Sequence, residues 1–189
     1  MPPLLGQFLY RARLQAILPH LSGDVLDLGC GYNGLAAYLG PGQAYTGVDL
    51  NPRAVERLDE KYPQHEFLVC DFDRQPLTLK RSYDTVVMLA VLEHLAAPDA
   101  LIETIRLVLK PGGRLVLTTP TPFGNRIHAV GSRLGLFYLE AAQDHKLIYN
   151  RRSLRQLLER HGLGILQYRT FLLGGNQICI ATPALPNAS

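Results

Sequence analysis

GCGYNG, residues 29–34, directly follows the apolar run VLDL and satisfies the spacing G-x-G-x-x-G. After a buried strand, that spacing lets a tight turn press its backbone against a ligand, and it marks dinucleotide sites that seat a pyrophosphate. The hexapeptide alone leaves two readings: a nicotinamide dinucleotide, or a nucleoside cofactor without phosphate. Its neighbours separate them. Asp27 stands two residues before Gly29, where a carboxylate repels a pyrophosphate and attracts a cationic amine.

Working outward, strand-like and helix-like stretches alternate, the sign of a parallel sheet with crossover helices. Strands are expected at residues 24–28, 44–49, 66–70, 85–89 and 114–118. The clearest helix is PDALIETIRLVLK, opened by Pro98 and closed by Gly112 and Gly113. Asn150 is placed to cap a helix whose Leu154, Leu157 and Leu158 face inward and which Gly162 stops. GILQYRTFLL and NQICIAT, parted by Gly174 and Gly175, read as an antiparallel hairpin. The expected fold is therefore α/β: a doubly wound, seven-stranded Rossmann-like sheet, mostly parallel, ending in an antiparallel hairpin.

With 189 residues, 47% apolar and 19% charged, the chain suits one globular domain. That domain is expected over 1–182, with a helical cover at 1–20, a lid insertion at 120–144 and a flexible tail at 183–189. No run reaches the roughly 20 apolar residues of a membrane span. The N-terminus lacks a basic region before its apolar part and reads as an amphipathic helix rather than a signal peptide. Cys30, Cys70 and Cys179 are scattered and odd in number, which points to a reducing, cytoplasmic setting without disulfides or a metal site. A net charge of +3 is too small to signal nucleic acid, and the basic group Lys146, Arg151, Arg152, Arg155 and Arg160 reads as a solvated helix face.

The ligand crevice of such a sheet lies at the carboxyl ends of its strands. Asp49 ends the second strand 20 residues after Gly29, the spacing at which an acidic side chain accepts from both ribose hydroxyls. Past the third strand, Asp71 suits an adenine amino group and Phe72 its ring. Acidic residues at three successive strand ends describe a neutral-to-cationic nucleoside.

VLDLGCGYNG, GVDLNP, CDFD, YDTVVMLAVLEHL and LKPGGRLVLTTP, in that order, resemble the motifs of class I S-adenosylmethionine-dependent methyltransferases over residues 21–181. Within them the chain is most similar to the group that includes ubiquinone and menaquinone biosynthesis methyltransferases. The resemblance implies S-adenosylmethionine as cofactor, with Gly29 and Gly31 near its methionyl part and Asp27 near its amine. It implies Asp49 on the ribose, Leu50 against the adenine, Asp71 and Phe72 at the adenine edge, and Leu89 and Ala90 below the sulfonium. Relatives often carry Ser or Asn near the fourth strand's end, where this chain has Met88, Leu89 and Ala90, so one polar contact then falls to backbone or water. Gly34 is read as a helix-packing position.

The expected reaction is in-line methyl transfer to a small-molecule acceptor. DHKLIYNRRSLRQLLERHGL also resembles that group, and for a hydroxyl acceptor His145 is the candidate base. Glu93 and His94, in VLEHL, are read as opening the next helix; such a pair more often supports the site from outside or faces solvent, and His94 stays open as an alternative base or, with Glu93, as a metal ligand. The apolar lid and N-terminal helix point to a hydrophobic acceptor and are compatible with peripheral membrane contact. Two rivals stay open: a methyltransferase of RNA or protein, disfavoured because VLEHL replaces an aromatic base-flipping motif, and a non-catalytic cofactor-binding module.

Overall fold

The computed structural model describes residues 4–133 and 146–184. Its centre is a seven-stranded sheet: β1 (Val25–Leu28), β2 (Tyr45–Asp49), β3 (Glu66–Val69), β4 (Tyr83–Leu89), β5 (Leu109–Pro120), β6 (Leu163–Phe171) and β7 (Asn176–Pro183). The order is β3-β2-β1-β4-β5-β7-β6, with the first five strands parallel and β7 antiparallel to both neighbours. β1 is buried along its whole length because helices cover both faces, so VLDL reads as a continuous run rather than an alternation.

On one face, Leu14 and Ile17 of α1 (Leu4–Ile17) pack with Val25, Val87 and Val116. On the other, Leu101, Ile102 and Ile105 of α3 (Asp99–Val108) join Leu154, Leu157 and Leu158 of α5 (Arg151–Arg160) over Leu26, Val86 and Leu115. Asn150 caps α5 as expected, in a reciprocal capping box with Ser153. Asn51 likewise caps α2 (Pro52–Lys61), its side chain accepting from Arg53 N at 3.0 Å.

Three local expectations are corrected. No α-helix follows the glycine turn: the crossover from β1 to β2 holds only a 3-10 turn at Ala36–Tyr38. Gly34 does pack on a helix, but on α2, where an added Cβ would meet Leu58 at 3.2 Å and the Tyr45 hydroxyl at 3.0 Å. Gly112 and Gly113 do not close α3, which ends at Val108; β5 runs through them instead. Lys110 holds that start in place, its ammonium 2.8 Å from Asp24 and 2.7 Å from Asp84. A register shift opposite Tyr83 and Thr85 absorbs the Pro-Gly-Gly insertion. Finally, Glu93 and His94 do not open a helix but close a 3-10 turn, Leu92–His94, five residues before α3.

In the stretch expected as a lid, Pro122–Arg133 forms α4. The remainder, residues 134–144, lies outside the described residues.

Candidate cofactor site

The strand order reverses at β1 and β4, and two cavities open there at the carboxyl ends of the strands. The first, of about 360 Å³, is lined by Gly29, Asp49, Leu50, Asp71, Phe72 and Val91, and also by His94 and Lys146. The second, of about 240 Å³, is lined by Asp27, Gly29, Gly31, Asn33, Tyr10 and Leu89. Gly29 borders both. Its φ of 78° is left-handed, and a Cβ there would stand 2.3 Å from Val91 Cγ2. Only glycine lets the turn run this close to β4.

Asp27 is almost fully buried and accepts from the Tyr45 hydroxyl at 2.7 Å. Burial drives its carboxyl up to about 7, against the hydrogen bond from Tyr45. A buried acid with raised pKa beside an open cavity suits a cationic partner that would draw it back to the ionised form.

Asp49 closes the turn from the other side. Its Oδ2 accepts from Gly31 N at 2.7 Å and its Oδ1 from Asn51 N at 2.8 Å. A carboxylate offers about four acceptor positions, so two stay available to ligand hydroxyls. Asp71 accepts from Asp73 N at 3.0 Å and lies 3.4 Å from Arg74. Phe72 packs its ring partly on the core, while Leu50 is 61% exposed over the same cavity. A cavity lined by Leu50 and Phe72 as well as by the carboxylates Asp49 and Asp71 fits a purine ring and its sugar.

Leu89 reaches the smaller cavity, but Ala90 lines neither. Ala90 sits at φ 58° with its N–H on Thr118 O at 3.0 Å, and this kink turns Val91 to the cavity. Cys30 and Cys70 are buried at the cavity walls, Cys30 with its thiol held protonated by burial. His145 lies outside the described residues.

Several contributors escaped the sequence reading. Lys146 ties the chain down beside the cavity: its ammonium is 2.7 Å from Asp73, and its N–H donates to Glu93 O at 2.8 Å. Glu93 itself is fully buried, and neither carboxylate oxygen finds a hydrogen bond among the described residues. The nearby Thr119 hydroxyl favours the ionised form, though it too is without a hydrogen bond. Burial raises the Glu93 pKa more than Arg13 of α1 draws it down. Nothing in VLEHL marks Glu93 as buried, since its two polar residues stand side by side.

The set fits a nucleoside with a cationic amine: a buried acid, a glycine turn without room for a Cβ, and two further acids beside apolar walls. Comparison with known proteins agrees. Residues 7–168 match the family model described as a methyltransferase domain. The chain belongs to that family, and within it to the class I S-adenosylmethionine-dependent methyltransferases.

A ubiquinone biosynthesis O-methyltransferase of Xanthomonas euvesicatoria is 35% identical over 115 residues, covering 57% of this chain and 48% of that protein. One from Nitrosococcus oceani is 31% identical, covering 66% and 57%. The chain thus spans about half the length of the curated relatives it matches. Among solved structures, a putative methyltransferase of Haloferax volcanii in complex with the Trm112 activator superposes with a TM-score of 0.73 at 16% identity, covering 92% of this chain and 89% of that one. A magnesium protoporphyrin IX methyltransferase of Synechocystis with bound SAH gives 0.63 at 20% identity, covering 94% and 82%. At such identities these two establish the fold. Among the described residues no helix is long and apolar enough to cross a membrane.

Proposed function

We propose that the chain transfers a methyl group from S-adenosylmethionine to a hydroxyl of a small, hydrophobic acceptor. One observation carries the reading: Asp27, Asp49 and Asp71 stand at the ends of adjacent strands around the Gly29 turn. Asp27 would hold the amine, Asp49 the ribose, and Asp71 with Phe72 the adenine, while Leu50 covers the ring and Gly29 and Gly31 give the backbone its close approach. Leu89 would form the floor beneath the reacting centre, while Ala90, which lines neither cavity, would serve by turning Val91 to the crevice. The cofactor supplies a methyl already activated on a sulfonium, so the protein's share is to orient, to exclude water and to take a proton.

An O-methyltransferase name on the curated relatives supports a hydroxyl acceptor. As the acceptor oxygen gains the methyl and the carbon–sulfur bond breaks, the hydroxyl proton passes to a base, and His145 is the residue assigned to that role. The single domain over 1–182, with residues 120–144 as a lid above the acceptor, belongs to the same proposal.

The test is transfer of a labelled methyl group from S-adenosylmethionine to a panel of simple and prenylated phenols, with RNA and protein fractions alongside. Label in the phenols supports the reading; label confined to RNA or protein overturns it. On a phenol that works, His145→Gln is expected to slow transfer roughly 10²–10⁴-fold with cofactor affinity nearly unchanged. The parental rate from pH 6 to pH 9 would remove His145 from the role.

A further inference from the structure

Because the β1–β2 crossover lacks its helix, a groove of about 680 Å³ stays open on that face of the sheet, between α1 and the end of α2. This is well within the size range of small-molecule sites. Its wall chemistry is one-sided. Three phenols, Tyr10, Tyr38 and Tyr62, line it together with Leu14 and the cations Arg11, from α1, and Lys61, from the end of α2. The Lys61 ammonium stands 4.9 Å from the centre of the Tyr62 ring. No acidic side chain is among the described residues that line the groove.

Aromatic faces offer area to a flat ring, and two cations without a carboxylate between them favour a negative group. The tyrosines add donors. Burial, then Tyr38 and Asp27, hold the Tyr10 hydroxyl up at about 12, so it stays protonated and can donate. Arg11 and Lys61 are exposed and hydrated, so each adds a modest attraction for an anion that a neutral or cationic ligand does not gain. We infer that this groove is a second ligand site, distinct from the cofactor crevice, and that it takes an aromatic carboxylate.

The two sites touch. Tyr10 and Asn33 line both the groove and the smaller cavity that holds Asp27 and the glycine turn. A ligand in the groove therefore presses on the loop next to the cofactor's amine subsite, and any effect of one ligand on the other is reciprocal.

The probe is biphenyl-4-carboxylate, with neutral biphenyl-4-methanol as its control, titrated into the full chain and followed by saturation-transfer NMR. The acid is expected to bind at least about ten-fold more tightly than the alcohol, and to stay bound when S-adenosylhomocysteine saturates the crevice. Arg11→Gln with Lys61→Gln should weaken the acid by roughly five- to ten-fold, two exposed charge pairs being removed. S-adenosylhomocysteine affinity in that variant should stay within about two-fold of the parent, which separates a failure here from a failure of the cofactor reading. Equal binding of acid and alcohol, undisturbed binding in the double variant, or no binding of the acid at millimolar concentration would overturn the site. Expulsion by S-adenosylhomocysteine would overturn its separateness.

Discussion

The Tyr45 hydroxyl, on the strand beside β1, donates to the Asp27 carboxylate across 2.7 Å and itself accepts from Leu35 N at 3.0 Å. This pair sets the charge of the crevice. Burial pushes Asp27 up to about 7 from the ordinary 3.8, and Tyr45 works against that rise. The folded pKa lies above the unfolded one, so protonation favours the native state. The native advantage is complete below pH ~4 and is lost as pH rises towards 7. A cofactor ammonium needs the ionised form, so binding should release a proton below neutrality and tighten between pH 6 and pH 8. Calorimetry in buffers of different ionisation enthalpy reads the released proton directly. Asp27→Asn should abolish the release; a parental proton count in that variant contradicts the assignment.

Asp49 has two tasks: it fastens the turn through Gly31 N, and it leaves acceptor positions for the ribose. Asp49→Ala should weaken S-adenosylhomocysteine binding by roughly 1.5–3 kcal/mol, the range for hydrogen bonds to a charged group. Equilibrium dialysis suffices to measure it. A change below about two-fold in Kd, some 0.4 kcal/mol, would take Asp49 out of the site.

Gly29→Ala tests how tightly the turn is wedged against Val91. The new methyl would need a left-handed backbone and would overlap Val91 Cγ2. Together these should lower stability by about 2–4 kcal/mol in urea unfolding. Adding Val91→Ala should recover part of the loss by removing the overlap. Full additivity of the two substitutions would show that they do not meet.

Much of this was legible in the sequence, and for one reason. Each parallel strand delivers its site residues to the crevice within a few positions of its end, so VLDLG, GVDLN and CDFD can be read one strand end at a time. Asn150 and its three leucines were equally plain, because a cap and its face lie within one short helix. What escaped depends on distance in sequence. Tyr45 reaches Asp27 only through the pairing of β1 and β2. The stretch LAAYLG has helical composition, yet a crossover with glycines on both sides keeps just the 3-10 turn. Glu93 looks like a surface acid until Lys146 and Leu147 fold back onto its carbonyl.

Glu93 also supplies a stability prediction. Burial raises its folded pKa, so the parental protein should lose stability as pH rises from its ordinary value of 4.5 towards that folded value. Glu93→Gln carries no charge there. Measured by urea unfolding at pH 4.5 and pH 8, the variant should gain on the parent towards the higher pH. Arg13, whose Nε donates to Asn176 at 2.8 Å, keeps that partner in the variant. An offset between the two proteins that does not change with pH would contradict a buried, raised carboxyl.

The central claim is that the Gly29 turn holds a nucleoside with a cationic amine and no phosphate. Titration calorimetry of the same preparation with S-adenosylhomocysteine and with NAD tests it most directly. S-adenosylhomocysteine should bind with a Kd in the micromolar range, about −8 kcal/mol, and NAD should give no heat. Binding of NAD, with none of S-adenosylhomocysteine, would contradict it.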